Sequence, residues 1–244
     1  MTGTLREEAS WRDKKALFAH RAAAGRLLAA KLSDLAGVDG LVAAIPAGGV
    51  PVAAEIARAL SLPLELVIVR KIQIPWNTEA GFGALAPDGQ VLLNQPLVRA
   101  LGLTPAQIEA QVAATRRNLA QRERVFRGGR PYPDLDGKTV IAVDDGLASG
   151  YTMLAALKFL RTRRPSRLVV AVPTGLLDAI AALTAATGAD VVCLNVCTRR
   201  PFAVAAAYQR WYDVSDDEVL QILQEWRRQG DGPAPAGGKA PPQD

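Results

Sequence analysis

The chain of 244 residues holds only two cysteines, one histidine and 5% aromatic residues. Each shortage excludes something. Cys193 and Cys197 lie in one apolar stretch and cannot staple a disulfide scaffold; with a single histidine, their spacing is no zinc pattern. Both are expected to be reduced and to act as small buried hydrophobes. His20 falls in a predicted helix and is expected to serve structure or surface rather than catalysis. No apolar run reaches the ~20 residues of a membrane-spanning helix. Residues 1–15 are polar, carry charges of both signs and lack the apolar core of a signal peptide, so the expectation is a cytoplasmic protein with no membrane partner. No block of like charge stands out as a nucleic-acid arm. The net charge of +5 suits an anionic ligand, and nucleic acid is not the expected partner. A G-x-G-x-x-G fingerprint and a P-loop lysine are both missing.

With 49% hydrophobic and 22% charged residues, the composition is that of a globular chain. The length suits one sizeable domain, read as residues 1–229. Residues 230–244, rich in Pro, Gly and Ala, are expected to form a disordered tail. Residues 16–35 read as an amphipathic helix, with Leu17, Ala24, Leu27, Leu28, Lys31 and Leu35 near helical spacing. Residues 41–45 read as a buried strand, 51–60 as a helix with proline in its first turn, and 64–69 as a second strand, which together make a βαβ unit. Residues 73–79 read as a loop, and Asp88-Gly89 as the turn of a hairpin. Thr104 and Pro105 are N-cap and first residue of a helix running to about residue 127. The alternation then resumes: strand 138–143, helix 151–163, strand 167–172, helix 176–187, strand 190–196 and a last helix 216–228. This rhythm predicts an α/β fold, a doubly wound, mostly parallel sheet flanked by helices, with its ligand at the carboxyl ends of the strands.

The run 140–152 carries the most chemistry. An apolar strand delivers Asp144 and Asp145 at its carboxyl end. Gly146, Leu147, Ala148, Ser149 and Gly150 follow, and a helix starts with Tyr151 and Thr152. A helix N-terminus offers unpaired N–H groups and partial positive charge to a phosphate. Glycine permits close backbone approach, and Ser149 and Thr152 add hydroxyl donors. Two carboxylates repel that phosphate, but they can accept hydrogen bonds from sugar hydroxyls of the same ligand. The pattern therefore reads as a clamp for ribose 5-phosphate.

This run resembles the phosphoribosyl-pyrophosphate motif of type I phosphoribosyltransferases. The resemblance extends to residues 45–53 as the pyrophosphate loop and to Arg70 and Lys71 at a strand end. It continues through the segment 75–84, and through Pro201, Phe202, Tyr208, Trp211 and residues 213–219, which look like a broadly distributed branch of that family. It covers roughly residues 16–223. It implies the type I fold with a small hood, to which the C-terminal segment contributes. It also implies phosphoribosyl transfer from 5-phosphoribosyl-1-pyrophosphate to a base-like nitrogenous acceptor, with release of pyrophosphate, and a homodimer. Asp144 and Asp145 would hold the ribose hydroxyls, and Leu147 to Thr152 would wrap the 5′-phosphate. Ala47, Gly48 and Gly49 would present N–H groups to pyrophosphate, with a non-proline cis peptide near Ala47. Arg70 and Lys71 would neutralise the leaving group. Mg²⁺ would be held through the substrate, with Asp144 and Asp145 the carboxylates within reach. Residues 71–80 would close over the site and exclude water.

Two positions depart from the pattern. The branch usually has arginine at the place of Ala47. Ala148 stands where 6-oxopurine enzymes carry an aspartate that serves the base. Trp76, Phe202, Tyr208, Trp211 and Tyr212 could stack on a base, pack the hood or meet a second subunit. Arg116, Arg117, Arg122, Arg124 and Arg127 are expected on a solvated helix face, with RNA or subunit contact as the alternatives. The alternative function is a non-catalytic sensor of 5-phosphoribosyl-1-pyrophosphate that binds RNA or protein.

Overall fold

The computed structural model describes residues 3–228; the expected tail, 230–244, lies outside them. The chain opens with β1 (Leu5–Glu7) and α1 (Arg21–Lys31), then β2 (Gly40–Ala44), α2 (Gly49–Leu60) and β3 (Leu64–Leu66). Next come β4 (Arg70–Ile74), β5 (Asn77–Leu85), β6 (Val91–Leu93), α3 (Gln95–Ala100) and α4 (Pro105–Arg122). The second half contains β7 (Thr139–Val143), α5 (Tyr151–Arg161), β8 (Arg167–Leu176), α6 (Leu177–Thr187), β9 (Asp190–Cys197) and α7 (Asp216–Arg228).

Six strands form one parallel sheet in the order β1-β9-β8-β7-β2-β3. From β2 the chain moves outward to β3; from β7 it moves the opposite way to β8 and β9. The winding therefore reverses between β2 and β7, and that is where such sheets open a crevice for ligands. Alternate residues feed two cores. Val42, Ala44, Ile141 and Val143 pack with Leu28 of α1, Ile56 of α2 and Leu223 of α7. Leu41, Ala43, Val140 and Ala142 pack with Leu157 of α5 and Leu183 of α6 on the other face. Burial on both faces explains why β2 and β7 are unbroken apolar runs.

β4, β5 and β6 form a separate antiparallel sheet, the hood expected over the ligand. Here the structure corrects two sequence expectations. The strand expected over 64–69 ends at Leu66, and its backbone leaves the main sheet before β4 begins. The loop expected over 73–79 is instead a hairpin, with register shifts on either side of Gln73. The pairing is local, but its register is irregular enough to leave no period-2 signal.

Other elements also differ from expectation. The helix expected from residue 16 starts at Arg21, because Ala16 and Phe18 donate their N–H groups to the carbonyls of Ala206 and Ala207. His20 then caps α1, its Nδ1 accepting from Ala23 N–H at 3.2 Å, which agrees with a structural role. Strand β1, three residues pairing with β9, is too short and polar to be read from sequence. Thr104 forms the expected N-cap of α4 and completes a capping box with Gln107. The helix proper ends at Arg122, followed by a π-helical turn, Glu123–Arg127.

The solvated face expected for this helix holds only in part. Arg116, Arg117 and Arg124 are exposed, but Arg127 is 1% exposed. Arg127 pairs with Glu65 and Glu123, donates to the carbonyls of Leu66 and Pro131, and stacks on Tyr132. It ties the end of α4 to β3. Arg122 pairs with Asp216 at the start of α7. Both cysteines are free and buried, and burial pushes both thiols up. Among the described residues, no helix is long and apolar enough to cross a membrane.

Candidate active site

A cleft of about 510 Å³ opens at the carboxyl ends of β2 and β7, beneath the hood sheet. The sequence-predicted residues Arg70, Lys71, Asp144, Asp145, Gly146, Leu147, Ala148, Ser149, Gly150, Tyr151 and Thr152 all line it. Residues separated by more than seventy positions in the chain thus meet around one cavity.

The acid pair stands where β7 ends. Asp144 Oδ1 accepts the backbone N–H of Asp145 at 2.8 Å. Burial pushes both carboxyls above the usual carboxylate range, and the charge of Asp145 raises Asp144 further. The Arg21 guanidinium opposes the rise at Asp145, its Nε donating to Asp145 Oδ2 at 2.8 Å. Such a pair is expensive to break: an unpaired buried carboxylate costs about 3–5 kcal/mol.

After the acids the chain curves into α5. Gly150 is its N-cap with φ 77°, a left-handed conformation that favours glycine. Ala148 and Ser149 are exposed at the rim. Leu147 behaves differently from its neighbours. Its side chain is buried in the core, its N–H donates to the Thr174 carbonyl, and its carbonyl accepts from Leu176. It anchors the loop to β8, so the N–H groups open to a ligand begin after it. Leu147 still lines the cleft, but its N–H and side chain are engaged elsewhere.

At the β2–α2 turn, Ile45 and Pro46 line the cleft, whereas the expected Ala47, Gly48 and Gly49 do not. The Pro46–Ala47 peptide is cis, as the resemblance implies. The glycines answer a close approach. A Cβ on Gly48 would stand 2.0 Å from Asp145 Oδ2, and one on Gly49 would stand 2.7 Å from the Val143 carbonyl oxygen. The turn is therefore packed directly against the acid pair.

The hood wall supplies the cations. Arg70 is half-buried, and burial with the nearby Arg122 charge presses it below the usual arginine value, while Asp216 opposes. The stem of Lys71 lies over Gly81, where a Cβ would meet its Cγ at 2.2 Å. Of the aromatics, Tyr208 is buried and its hydroxyl donates to the Asp145 carbonyl at 2.7 Å. Trp76 is 60% exposed at the hairpin tip. Val204 lines the cleft against Gly146, and Phe202 faces a separate cavity of about 310 Å³ beside Thr174 and Asn195.

Sequence reading missed Arg21 and the hydroxyl of Tyr208. Arg21 is one of two arginines in an alanine-rich helix, and 124 positions separate it from Asp145. No local spacing could have marked it.

The comparisons with known proteins agree with this geometry. Residues 13–178 match the family model described as phosphoribosyl transferase domain. Two proteins of Mycobacterium tuberculosis, from strains CDC 1551 and H37Rv, are 39% identical over 212 residues, and their names assign them provisionally to the phosphoribosyl transferases. That match covers 87% of this chain but 47% of theirs, so the chain spans about half the length of those relatives. The crystal structure of TT1426 from Thermus thermophilus superposes with a TM-score of 0.67 at 38% identity, covering 86% of this chain and 98% of that one.

Proposed function

The chain belongs to the phosphoribosyl transferase domain family, and we propose that it transfers phosphoribosyl from 5-phosphoribosyl-1-pyrophosphate to a nitrogenous acceptor, releasing pyrophosphate. One observation carries this reading. Two half-buried carboxylates at the end of β7 lead into a loop that closes on a helix N-terminus, with Arg70 and Lys71 across the same cleft.

Each part has a task suited to its chemistry. Asp144 and Asp145 accept hydrogen bonds from the ribose hydroxyls. Ser149 and Thr152, with the N–H groups after Leu147, hold the 5′-phosphate at the start of α5. The β2–α2 turn, Arg70 and Lys71 face the pyrophosphate and stabilise it as it departs. No covalent nucleophile is required. Positive charge develops on the sugar as the bond to pyrophosphate breaks, and the protein positions the partners and excludes water. The hairpin β4–β5 is the element placed to cover them.

The donor set fits Mg²⁺ carried by the substrate. Among the described residues, no group of three or more acidic, cysteine or histidine side chains could hold a metal by itself. The acid pair offers the one or two carboxylates that Mg²⁺ takes alongside phosphate oxygens. When bound, Mg²⁺ would neutralise charge on the pyrophosphate. The reading also takes the protein to be cytoplasmic and a homodimer; light scattering would test the dimer.

The decisive experiment is calorimetric titration of 5-phosphoribosyl-1-pyrophosphate with Mg²⁺ into the wild type and the D144N/D145N variant. Micromolar-range binding that the variant loses supports the reading; equal affinity in the two overturns the site. A mass-resolved screen of nucleobases then seeks the product. Binding without turnover of any base, together with salt-sensitive RNA binding, would favour the sensor alternative instead.

A further inference from the structure

Arg21 belongs to none of the loops assigned above, yet its guanidinium is committed to the acid pair. Its side chain is 6% exposed. Nε donates to Asp145 Oδ2 at 2.8 Å, and one terminal nitrogen donates to the Tyr212 carbonyl at 2.8 Å. The guanidinium carbon lies 3.9 Å from the centre of the Trp211 ring. Tyr208, a few residues earlier in the same segment, reaches the Asp145 carbonyl through its hydroxyl. On the other side, Gly48 leaves the space that the Asp145 carboxylate fills.

Asp145 is thus bonded from two directions, the first turn of α1 and the segment 208–212, with the β2–α2 turn close against its carboxylate. Asp144 is held differently, its carboxylate accepting the N–H of its own neighbour. We propose that Arg21 is a positioning residue for the sugar clamp, fixing the Asp145 carboxylate and locking the segment 208–212 to it. The proposal rests on the reading that Asp144 and Asp145 hold the ribose.

Arginine suits the task better than lysine would. Its planar fork serves two acceptors that lie in different directions, a carboxylate and a carbonyl, while its face stacks on an indole. A lysine at this position keeps the charge near Asp145 but lacks the planar fork, so it cannot reproduce both hydrogen bonds and the stacking together. Its effect should therefore be intermediate, which separates a positioning role from mere bulk. A simple structural brace would lower the melting temperature without changing how tightly the folded protein holds its ligand.

The test is calorimetric titration of 5-phosphoribosyl-1-pyrophosphate with Mg²⁺ into the full chain, comparing wild type, R21M, R21K and Y208F, each with a thermal melt. R21M should bind about tenfold more weakly, R21K should recover to within about threefold of wild type, and Y208F should lose about threefold. If R21M does not fold, R21K and Y208F decide the matter. Y208F keeps the ring and its packing and removes only the hydroxyl that reaches Asp145. Wild-type affinity in folded R21M, or in both R21K and Y208F, overturns the proposal, as does an R21K no tighter than R21M. A wild type that binds no 5-phosphoribosyl-1-pyrophosphate overturns the clamp and this proposal together. A wild type that binds while R21M is unchanged overturns only this one.

Discussion

Two strand–turn–helix units stand side by side where the sheet reverses its winding, and they are built in different ways. Between β7 and α5 the connection spans residues 144–150; between β2 and α2 it spans only 45–48. The longer connection bears functional side chains, two acids and a serine, with Thr152 just inside the helix. The shorter one has almost none: proline, alanine and glycine. The reason is spatial. Asp145 occupies the place where a Cβ of Gly48 would stand, and the end of β7 does the same for Gly49. The acid pair therefore dictates the bareness of its neighbour, and what the shorter turn offers a ligand is backbone.

That dependence can be broken from either side. Removing both charges from the longer connection, in D144N/D145N, should have the largest effect, weakening 5-phosphoribosyl-1-pyrophosphate about a hundredfold or more by calorimetry. Next comes G48A in the shorter turn. Its new methyl must displace the Asp145 carboxylate, so binding should weaken about tenfold and stability should fall by about 1–3 kcal/mol in chemical denaturation. Binding weakened without loss of stability would show that the carboxylate swings aside easily. S149A removes a single hydroxyl at an exposed position and should cost about threefold in affinity with no change in the melt. T104A, in the capping box of α4 and outside the cleft lining, should cost about 1 kcal/mol of stability and leave affinity unchanged. An affinity loss in T104A would mean that α4 communicates with the cleft through Arg122 and Arg70.

The two turns were not equally legible. The acid pair, the Gly-Leu-Ala-Ser-Gly loop and the following helix lie in one contiguous run, and local chemistry is enough to read them. The Gly48-Gly49 pair is visible as a break between strand and helix, but its purpose depends on a residue about a hundred positions later. The hood hairpin was misread as a loop because irregular antiparallel pairing gives no clean alternation. Leu147 looked like part of a phosphate cradle, yet its N–H and side chain face β8 and the core. Arg122 and Arg127 looked like solvated charges; Arg127 instead pairs with Glu65 of β3 inside the protein, and Arg122, half-buried, pairs with Asp216 of α7.

By itself, the sequence determined the alternating strands and helices, the apolar strands buried on both faces, the cap of α4 and the acid-rich loop at the end of β7. These depend on periodicity and on residues within a few positions of one another. Only the tertiary structure decided that the Asp145 carboxylate is held by Arg21, that Gly48 makes room for it, and that the segment 208–212 is joined to both. Those contacts run between strand ends and helix starts that the winding of the sheet brings together. The energy of a buried ion pair depends on which charges end up adjacent, and one-dimensional spacing carries no record of that.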